Sequence, residues 1–199
     1  MAHSARGRYI ARFPVRDDRM LFFLLCRDDY LPKTAMTSDA DRKAAIAHAY
    51  ADMGWECPAI LSALDHVDGV YFDSISQVRM DAWCKGRVAL VGDAAACPSL
   101  IAGTGAGFAL AEAYVLAGEI HAHPHDPSTA LERYQLRLQA FIARKQTYAE
   151  RIVPSFIPET AAGVRARDFA TLLMRLTVFP RLLMGRYLRD EMQLPDYAI

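Results

Sequence analysis

Apolar residues follow patterns typical of β-strands in three parts of the chain. The segment GRYIARFPVRDDRMLFFLLC (7–26) has two apolar runs around the polar turn VRDDR, a pattern that predicts an antiparallel hairpin. Because these runs are nearly continuous in apolar residues, we expect both faces of the strands to be covered. GVYFDSISQVRM (69–80) alternates between two faces and predicts another strand. RVALVG (87–92) predicts a short buried strand that ends at a glycine.

A helical period first appears in the segment 38–55. Its apolar residues recur at helical spacing, and Ser38 or Asp39 is suited to cap its first turn. Gly54 is suited to end this helix. A second, shorter helix is predicted after Pro58.

Two longer helices and a tail are predicted in the second half of the chain. Residues 105–121 are apolar almost all round, which predicts a helix inside the domain. Asp126 and Pro127 then begin an amphipathic helix. Its predicted buried stripe comprises Leu131, Tyr134, Leu138, Phe141 and Ile142. An Arg- and Leu-rich helical tail runs from Ala161 and is broken at Pro180. Mixed strands and helices predict an α/β or α+β fold.

Composition and charge narrow the class of protein. A chain of 199 residues can bury a sizeable core. Lys+Arg and Asp+Glu both number 23, so no excess positive charge points to nucleic acid as a partner. The N-terminus lacks the apolar core of a signal peptide, and MLFFLLC (20–26) is too short to cross a bilayer. Four scattered cysteines fit a reducing compartment, so we expect a cytoplasmic protein.

The residues that carry candidate chemistry follow the strand RVALVG. Gly92 lets a ligand approach the backbone closely, since it has no Cβ. Asp93 offers a carboxylate that accepts hydrogen bonds, which suits the hydroxyls of a sugar or polyol. Pro98 stiffens the loop that follows.

Three glycines then lead into the next helix, at positions 103, 105 and 107. The first N–H groups of a helix have no helical acceptor, and with the helix dipole they favour an anion or an electron-rich carbonyl. The strand, aspartate and helix start therefore suit a flavin, with its polyol at Asp93 and its ring at the helix. The same glycines also fit a purely structural turn, and the residue pattern alone leaves both interpretations open.

The full string is more specific than its parts. WCKGRVALVGDAA (83–95), then Pro98 and AGTGAGFALAEAYVLAGE (102–119), resembles the second flavin motif of the FAD-dependent aromatic hydroxylases. These are the group A flavoprotein monooxygenases related to para-hydroxybenzoate hydroxylase. The resemblance implies a reaction in which NAD(P)H reduces the FAD and one oxygen atom of O2 passes to an organic, aromatic or polyketide-like substrate. It names no catalytic residue in this chain.

The resemblance also implies roles for individual residues. Asp93 would hold the ribityl hydroxyls of FAD, and the amides around Gly105, Ala106 and Gly107 would contact the isoalloxazine ring. Gly92, Pro98 and Gly103 are predicted to complete the set of cofactor-binding residues. The sequence departs from the family pattern at two positions that would affect the reactivity of the flavin. Ala96 stands where many members have His, and Gly107 stands where many have Asn.

A looser resemblance covers the rest of the chain and predicts three parts. Residues 1–82 would form part of a substrate-domain sheet, residues 83–155 the C-terminal part of an FAD-binding domain, and residues 156–199 a helical cover. The strand-GxGxxG-helix that binds ADP in the family does not occur. We therefore expect a truncated frame, a split enzyme completed by a separate N-terminal half or a homodimer, or a decayed remnant that no longer binds flavin. Tight binding of FAD by this chain alone is not expected.

Other candidate residues have simpler explanations beside the functional ones. HAHPH (121–125) could bind a metal, but a solvated loop is favoured. Cys97 could be redox-active, but a buried inert thiol is favoured. Asp73, Gln77 and Arg79 share a predicted strand face that could look toward a substrate cavity, although a solvent-facing surface is favoured. The basic tail is expected to pack on the core or in a dimer interface rather than on a membrane.

Overall fold

A computed structural model describes residues 1–173 and 192–197 of the chain. The described residues fall into two compact units. The first comprises Met1–Asp73 and Pro154–Gly185, and the second comprises Ser74–Val153 and Arg186–Ile199. Helices and short antiparallel strands occur in both units, so the mixed α/β class predicted from the sequence is confirmed.

The first unit contains a three-stranded antiparallel sheet in the order β1-β2-β3. Its strands are β1 (Ala2–Ala5), β2 (Arg8–Pro14) and β3 (Met20–Cys26). The β2–β3 pair is the predicted hairpin, whereas β1 was not predicted. The prediction that both faces of this hairpin are covered is wrong at its turn end. Three large apolar side chains are exposed there: Phe13, Met20 and Leu21. The core packs around Ile10 near the other end of the hairpin, which leaves the turn end open.

Three helices complete the first unit: α1 (Asp39–Tyr50), α2 (Cys57–Leu64) and, in the later segment, α6 (Ala161–Leu173). Ser38 caps α1 by accepting a hydrogen bond from the amide of Asp41, as the sequence predicted. The buried core combines one residue of the sheet with residues of α1, α2 and their connection: Ile10, Ile46, Ala49, Tyr50, Met53, Cys57 and Ile60.

Arg8 ties the sheet of the first unit to α1. Its buried guanidinium donates to the carbonyl of Ala49 at 2.7 Å and to the carboxylate of Asp52. The guanidinium carbon also lies 4.4 Å from the centroid of the Tyr30 ring. A buried charge needs such partners, because it has lost its hydration shell.

The second unit is built on a small hairpin and three helices. The strands are β4 (Cys84–Lys85) and β5 (Val88–Ala89), followed by α3 (Asp93–Ala96), α4 (Gly105–Ala122) and α5 (Pro127–Phe156). The predicted buried strand RVALVG is thus reduced to two residues, and Val88 is 65% exposed, so the burial prediction was wrong. Residues 69–80 form no strand, because no neighbouring strand pairs with them among the described residues.

Helix α5 follows its prediction closely. Asp126 caps it, with Oδ1 accepting from the amide of Thr129 at 3.1 Å, and Pro127 is its first residue. All five members of the predicted stripe are buried. Four of them, Tyr134, Leu138, Phe141 and Ile142, belong to a core cluster that also contains Trp83, Phe108 and Val115.

Helix α4 is not enclosed on all sides, which corrects the prediction from its apolar composition. One stripe of the helix is exposed and consists of Ala106, Leu110, Ala113, Ala117 and Ile120. Leu110 is 74% exposed and Ile120 is 48% exposed. The opposite side instead buries two acids, Glu112 and Glu119. Apolarity all round a helix therefore did not reveal which of its faces is covered.

The last described residues pack against the C-terminal part of α4. The hydroxyl of Tyr197 donates to Glu119 at 2.8 Å, and two arginines of α5, Arg133 and Arg137, also donate to this carboxylate. Although burial opposes ionisation, these hydrogen bonds lower the pKa of Glu119. A Cβ on Gly118 would lie 2.2 Å from the Tyr197 ring, so this position has no room for a side chain.

The predicted helical tail is only partly described. Helix α6 lies within it, whereas the break at Pro180 falls outside the described residues. Across the described parts of the chain, no helix combines the length and the apolarity needed to cross a membrane.

Gly118→Ala is expected to lower the free energy of unfolding by about 1–3 kcal/mol, because the new methyl overlaps a packed ring. Urea unfolding measures this change. In a Tyr197→Ala background the ring is gone, and alanine should instead stabilise the helix by about 0.5–1 kcal/mol. An equal loss of stability in both backgrounds would show that the ring contact is not the cause.

Candidate functional site

The loop after β5 turns at Gly92. This residue has φ 66° and ψ −142°, a conformation that strains any residue with a side chain. A Cβ built on it would also lie 3.4 Å from the Cβ of Ala109 on α4. The backbone conformation at this position therefore requires glycine. The next residue, Asp93, is exposed at the surface.

Asp93 is the first residue of α3 and its carboxylate points toward the start of α4. Its Oδ1 lies 3.5 Å from the place where a Cβ of Gly105 would be. Within the described residues no hydrogen bond or ion pair occupies this carboxylate. An exposed acceptor thus lies directly beside a helix N-terminus.

The first turn of α4 supplies the matching donors. Thr104 precedes the helix, and its side chain makes no capping hydrogen bond. The first amide that reaches a helical acceptor is that of Phe108, which donates to the Thr104 carbonyl at 3.0 Å. The amides of Gly105, Ala106 and Gly107 consequently have no helical acceptor, and Ala106 and Gly107 are exposed.

The loop between α3 and α4, residues 97–104, contains residues in unusual backbone conformations and borders open space. Pro98 is fully buried and anchors its start. Ser99 has φ 98°, which is unusual for a residue with a side chain, and a shallow groove of about 340 Å³ opens beside it. Gly103 has φ 65°, and no atom lies within 4 Å of where its Cβ would be. A Cβ on Gly107 would meet equally open space.

Two glutamines, Gln77 and Gln146, stabilise this loop, a role that the sequence did not predict for either of them. The side-chain amide of Gln77 donates to the Pro98 carbonyl at 2.9 Å and to the Gln146 carbonyl at 2.9 Å. The side-chain amide of Gln146 donates to the carbonyls of Val78 at 2.7 Å and Cys97 at 3.2 Å. Side-chain amides can satisfy two carbonyls at once, which suits a loop without a regular ladder of hydrogen bonds.

The predicted face of Asp73, Gln77 and Arg79 does not exist, because residues 69–80 form no strand. Gln77 binds the loop, and Arg79 pairs with Glu150 at 2.8 Å. Asp73 belongs to the first unit, where it accepts a hydrogen bond from the hydroxyl of Tyr71 at 3.1 Å. Of the three, Gln77 and Arg79 remain in direct contact, since the Arg79 Nε donates to the Gln77 Oε1 at 2.9 Å.

Glu112 is a further residue whose role the sequence analysis did not predict. It is 1% exposed, and its Oε2 accepts a hydrogen bond from the amide of Gly92. The hydroxyl of Tyr134 lies 3.5 Å from the same oxygen. Burial raises the pKa of Glu112, against the opposing effect of the Gly92 hydrogen bond. An acid on the buried side of an otherwise apolar helix was the available signal.

Two other candidates from the sequence can be placed. Cys97 is half-buried rather than buried, and all four cysteines are free thiols. In HAHPH, the Nδ1 of His123 lies 3.0 Å from the backbone carbonyl of Glu119. No group of three or more His, Cys, Asp and Glu side chains suited to a metal occurs in the part of the chain that the structure describes.

Asp93 and the first turn of α4 (residues 105–107) form a corner whose groups fit a flavin chemically. Asp93 can accept hydrogen bonds from hydroxyls of a polyol chain. The free amides at the start of α4 can donate to an electron-rich carbonyl edge, and the missing side chains at Gly103 and Gly107 leave space for a planar ring. All seven residues predicted for the site lie in the same loop or at its two ends.

Comparison of sequences finds several monooxygenases, although no protein-family model matches the chain. A flavin-dependent monooxygenase of Legionella longbeachae is 37% identical over 119 residues, which are 60% of this chain and 31% of the relative. An FAD-dependent monooxygenase of Sarocladium schorii is 33% identical over 150 residues, 72% of this chain and 34% of the relative. A monooxygenase of Cercospora beticola is 28% identical over 206 residues, 99% of this chain and 49% of the relative.

Comparison of structures finds two tetracycline destructases. Tet(51) is 26% identical, with a TM-score of 0.72 over 98% of this chain and 50% of that protein. Tet(55) is 27% identical, with a TM-score of 0.75 over 98% of this chain and 49% of that protein. The chain thus spans about a third to a half of the length of the proteins it matches. It is similar in sequence and in fold to one part of flavin-dependent monooxygenases.

Gly92→Ala is expected to lower the free energy of unfolding by about 1–3 kcal/mol, because alanine is strained at a positive φ. Gly107→Ala is the matched control, since it lies in the first turn of a regular helix and its Cβ meets nothing within 4 Å. Alanine should there be neutral or stabilise by up to about 1 kcal/mol. Urea unfolding compares the two variants, and equal effects would contradict the backbone argument.

Proposed function

We propose that this chain supplies the ribityl-binding and ring-binding part of an FAD-dependent monooxygenase of the aromatic hydroxylase kind. One observation carries the proposal: the Asp93 carboxylate, which has no partner among the described residues, lies beside a helix start whose first three amides have no helical acceptor. The similarity to proteins named as flavin-dependent monooxygenases supports the same conclusion.

Each residue of the corner has a distinct task in this proposal. Asp93 accepts hydrogen bonds from the ribityl hydroxyls, while the amides of Gly105, Ala106 and Gly107 face the electron-rich edge of the isoalloxazine. The bound flavin supplies the chemistry, in which NAD(P)H is the reductant and one oxygen atom from O2 reaches an organic substrate. Because Ala96 and Gly107 carry no polar side chain, only backbone groups at the start of α4 make polar contacts with the isoalloxazine ring in this proposal.

The proposed substrate is an organic molecule with an aromatic or polyketide-like ring system. The names of the structural neighbours, which specify tetracycline, support a fused-ring substrate. No catalytic side chain is assigned, since the corner offers groups that bind and orient a cofactor rather than groups that exchange protons with a substrate.

Binding of the whole cofactor is proposed to need a further polypeptide segment, which supplies the grip on the ADP moiety. The proteins that match this chain are about two to three times as long as the matched region. The exposed apolar stripe of α4 supports a protein neighbour at this helix, because apolar side chains such as Leu110 gain by burial. A separate N-terminal half is the proposed neighbour, with a second copy of this chain as the alternative.

Asp93→Ala is expected to weaken the binding of riboflavin by about ten- to a hundred-fold, because hydrogen bonds to a charged acceptor are lost. Titration with quenching of flavin fluorescence measures the affinity. Asp81→Ala is the control, since Asp81 is another exposed aspartate of the same unit and lies outside the loop. Unchanged affinity in Asp93→Ala would remove this carboxylate from the site. A wild-type chain that takes up no flavin would instead favour a non-catalytic remnant.

Riboflavin, FMN and FAD are expected to bind the isolated chain with affinities within about three-fold of one another, because the proposed contacts involve only the ring and the ribityl chain. The same fluorescence titration, run with the three ligands in parallel, tests this expectation. FAD binding that is tens of times tighter than riboflavin binding would show that this chain grips the diphosphate or the adenosine by itself.

A further inference from the structure

Helix α4 buries two glutamates in opposite electrostatic settings. Glu119 has two arginine partners and a tyrosine donor, so its negative charge is compensated. Glu112 lies two turns earlier, and the groups that face it are the Gly92 amide, the Tyr134 hydroxyl and the Asp93 carboxylate. None of these is a cation, so a charge on Glu112 has nothing to balance it in the described part of the unit.

The pattern of hydrogen bonds around Glu112 indicates a neutral acid. The hydroxyl of Tyr134 has one proton, which it donates to the Leu90 carbonyl at 3.0 Å. Its oxygen therefore faces the Glu112 Oε2, 3.5 Å away, as a second acceptor. Two acceptors repel each other unless one carries a proton. Burial, with a smaller contribution of the same sign from the Asp93 carboxylate, raises the pKa of Glu112 although the Gly92 hydrogen bond opposes it.

The position of Glu112 links it directly to the candidate flavin site. Its Oε2 holds the amide of Gly92, and Asp93 is the next residue along the chain. Its other oxygen, Oε1, is buried without a hydrogen-bond partner among the described residues. A buried carboxyl group with one unsatisfied oxygen costs stability, which a purely structural role would not require.

We propose that Glu112 is a positioning residue of the flavin site: as a neutral carboxylic acid it holds the Gly92 amide and thereby sets the direction of the Asp93 carboxylate. This inference rests on the proposed flavin function. A neutral acid performs this task without placing a second negative charge beside Asp93. The exposed Asp93 then remains the one negative group presented to the ribityl hydroxyls at this corner.

Nuclear magnetic resonance of the ligand-free chain tests the first half of the proposal. In the wild type, the Gly92 amide proton should move downfield as Glu112 ionises, because a charged acceptor strengthens the hydrogen bond. The midpoint should lie above the pH at which riboflavin binding is measured, since only then is Glu112 neutral in the binding-competent chain. In Glu112→Gln this titration should vanish. A midpoint below the pH of the binding assay, or the same titration in the Gln variant, would overturn the proposal.

Riboflavin affinity tests the second half. Glu112→Leu removes the acceptor for Gly92 and should weaken riboflavin binding by about ten-fold or more. Glu112→Gln retains an uncharged acceptor oxygen for the Gly92 amide and should remain within about three-fold of the wild type. Glu119→Gln is the control, since it alters the other buried glutamate of the same helix. An equal loss of affinity in Glu119→Gln and Glu112→Leu would reduce the role of Glu112 to general stability.

The two measurements separate the proposals from each other. If the wild type binds no riboflavin but the Gly92 titration has the expected midpoint, the flavin function fails and the hydrogen bond to neutral Glu112 stands. If riboflavin binds and Asp93→Ala weakens it, but Glu112→Leu does not, the flavin function stands and the positioning role fails. Should Glu112→Leu fold poorly, the Gly92 titration in Glu112→Gln still decides the protonation state.

Discussion

The hydrogen bond from the Gly92 amide to buried Glu112 is the constraint on which the candidate site depends. It joins the loop after a two-residue strand to the middle of an eighteen-residue helix. Gly92 alone could not hold the turn, because its permissive backbone has many alternatives in the unfolded chain. Glu112 alone could not form the site, because it is buried. Together they place Asp93 against the start of the same helix that carries Glu112, so one helix supplies both the support and the donors.

Local signals in the sequence were sufficient for the elements whose stability is local. The hairpin of β2 and β3, the Ser38 cap and the Asp126 cap all depend on residues close together in the chain, and all three predictions are confirmed. The strand predicted for residues 69–80 was wrong for the opposite reason. An alternating pattern describes only one strand, whereas a sheet also needs a neighbour, which periodicity cannot reveal. The covered faces of α4 and of the hairpin were misjudged because burial likewise depends on distant packing.

The same division applies to the site. Its seven predicted residues lie within sixteen positions of one another, and the order of the motif alone indicated that Asp93 and the helix start belong together. Their supports come from elsewhere: Gln77 lies before the hairpin, Tyr134 and Gln146 on α5, and each acts through a hydrogen bond across the unit. A polar residue with a structural partner far along the chain looks like any solvated polar residue in the sequence. Glu112 was the exception, since an acid within an apolar helix calls for a reason.

The exposed stripe of α4 repeats every seven residues, at positions 106, 113 and 120, and alanine occupies three of its five places. Small side chains at such spacing allow another backbone to come unusually near. The unit itself makes little use of these positions. A mutational scan that scores only whether the isolated chain folds would therefore rate Leu110 and Ile120 as replaceable by lysine or glutamate. The apolar character of this stripe would become visible only in an assay that scores assembly.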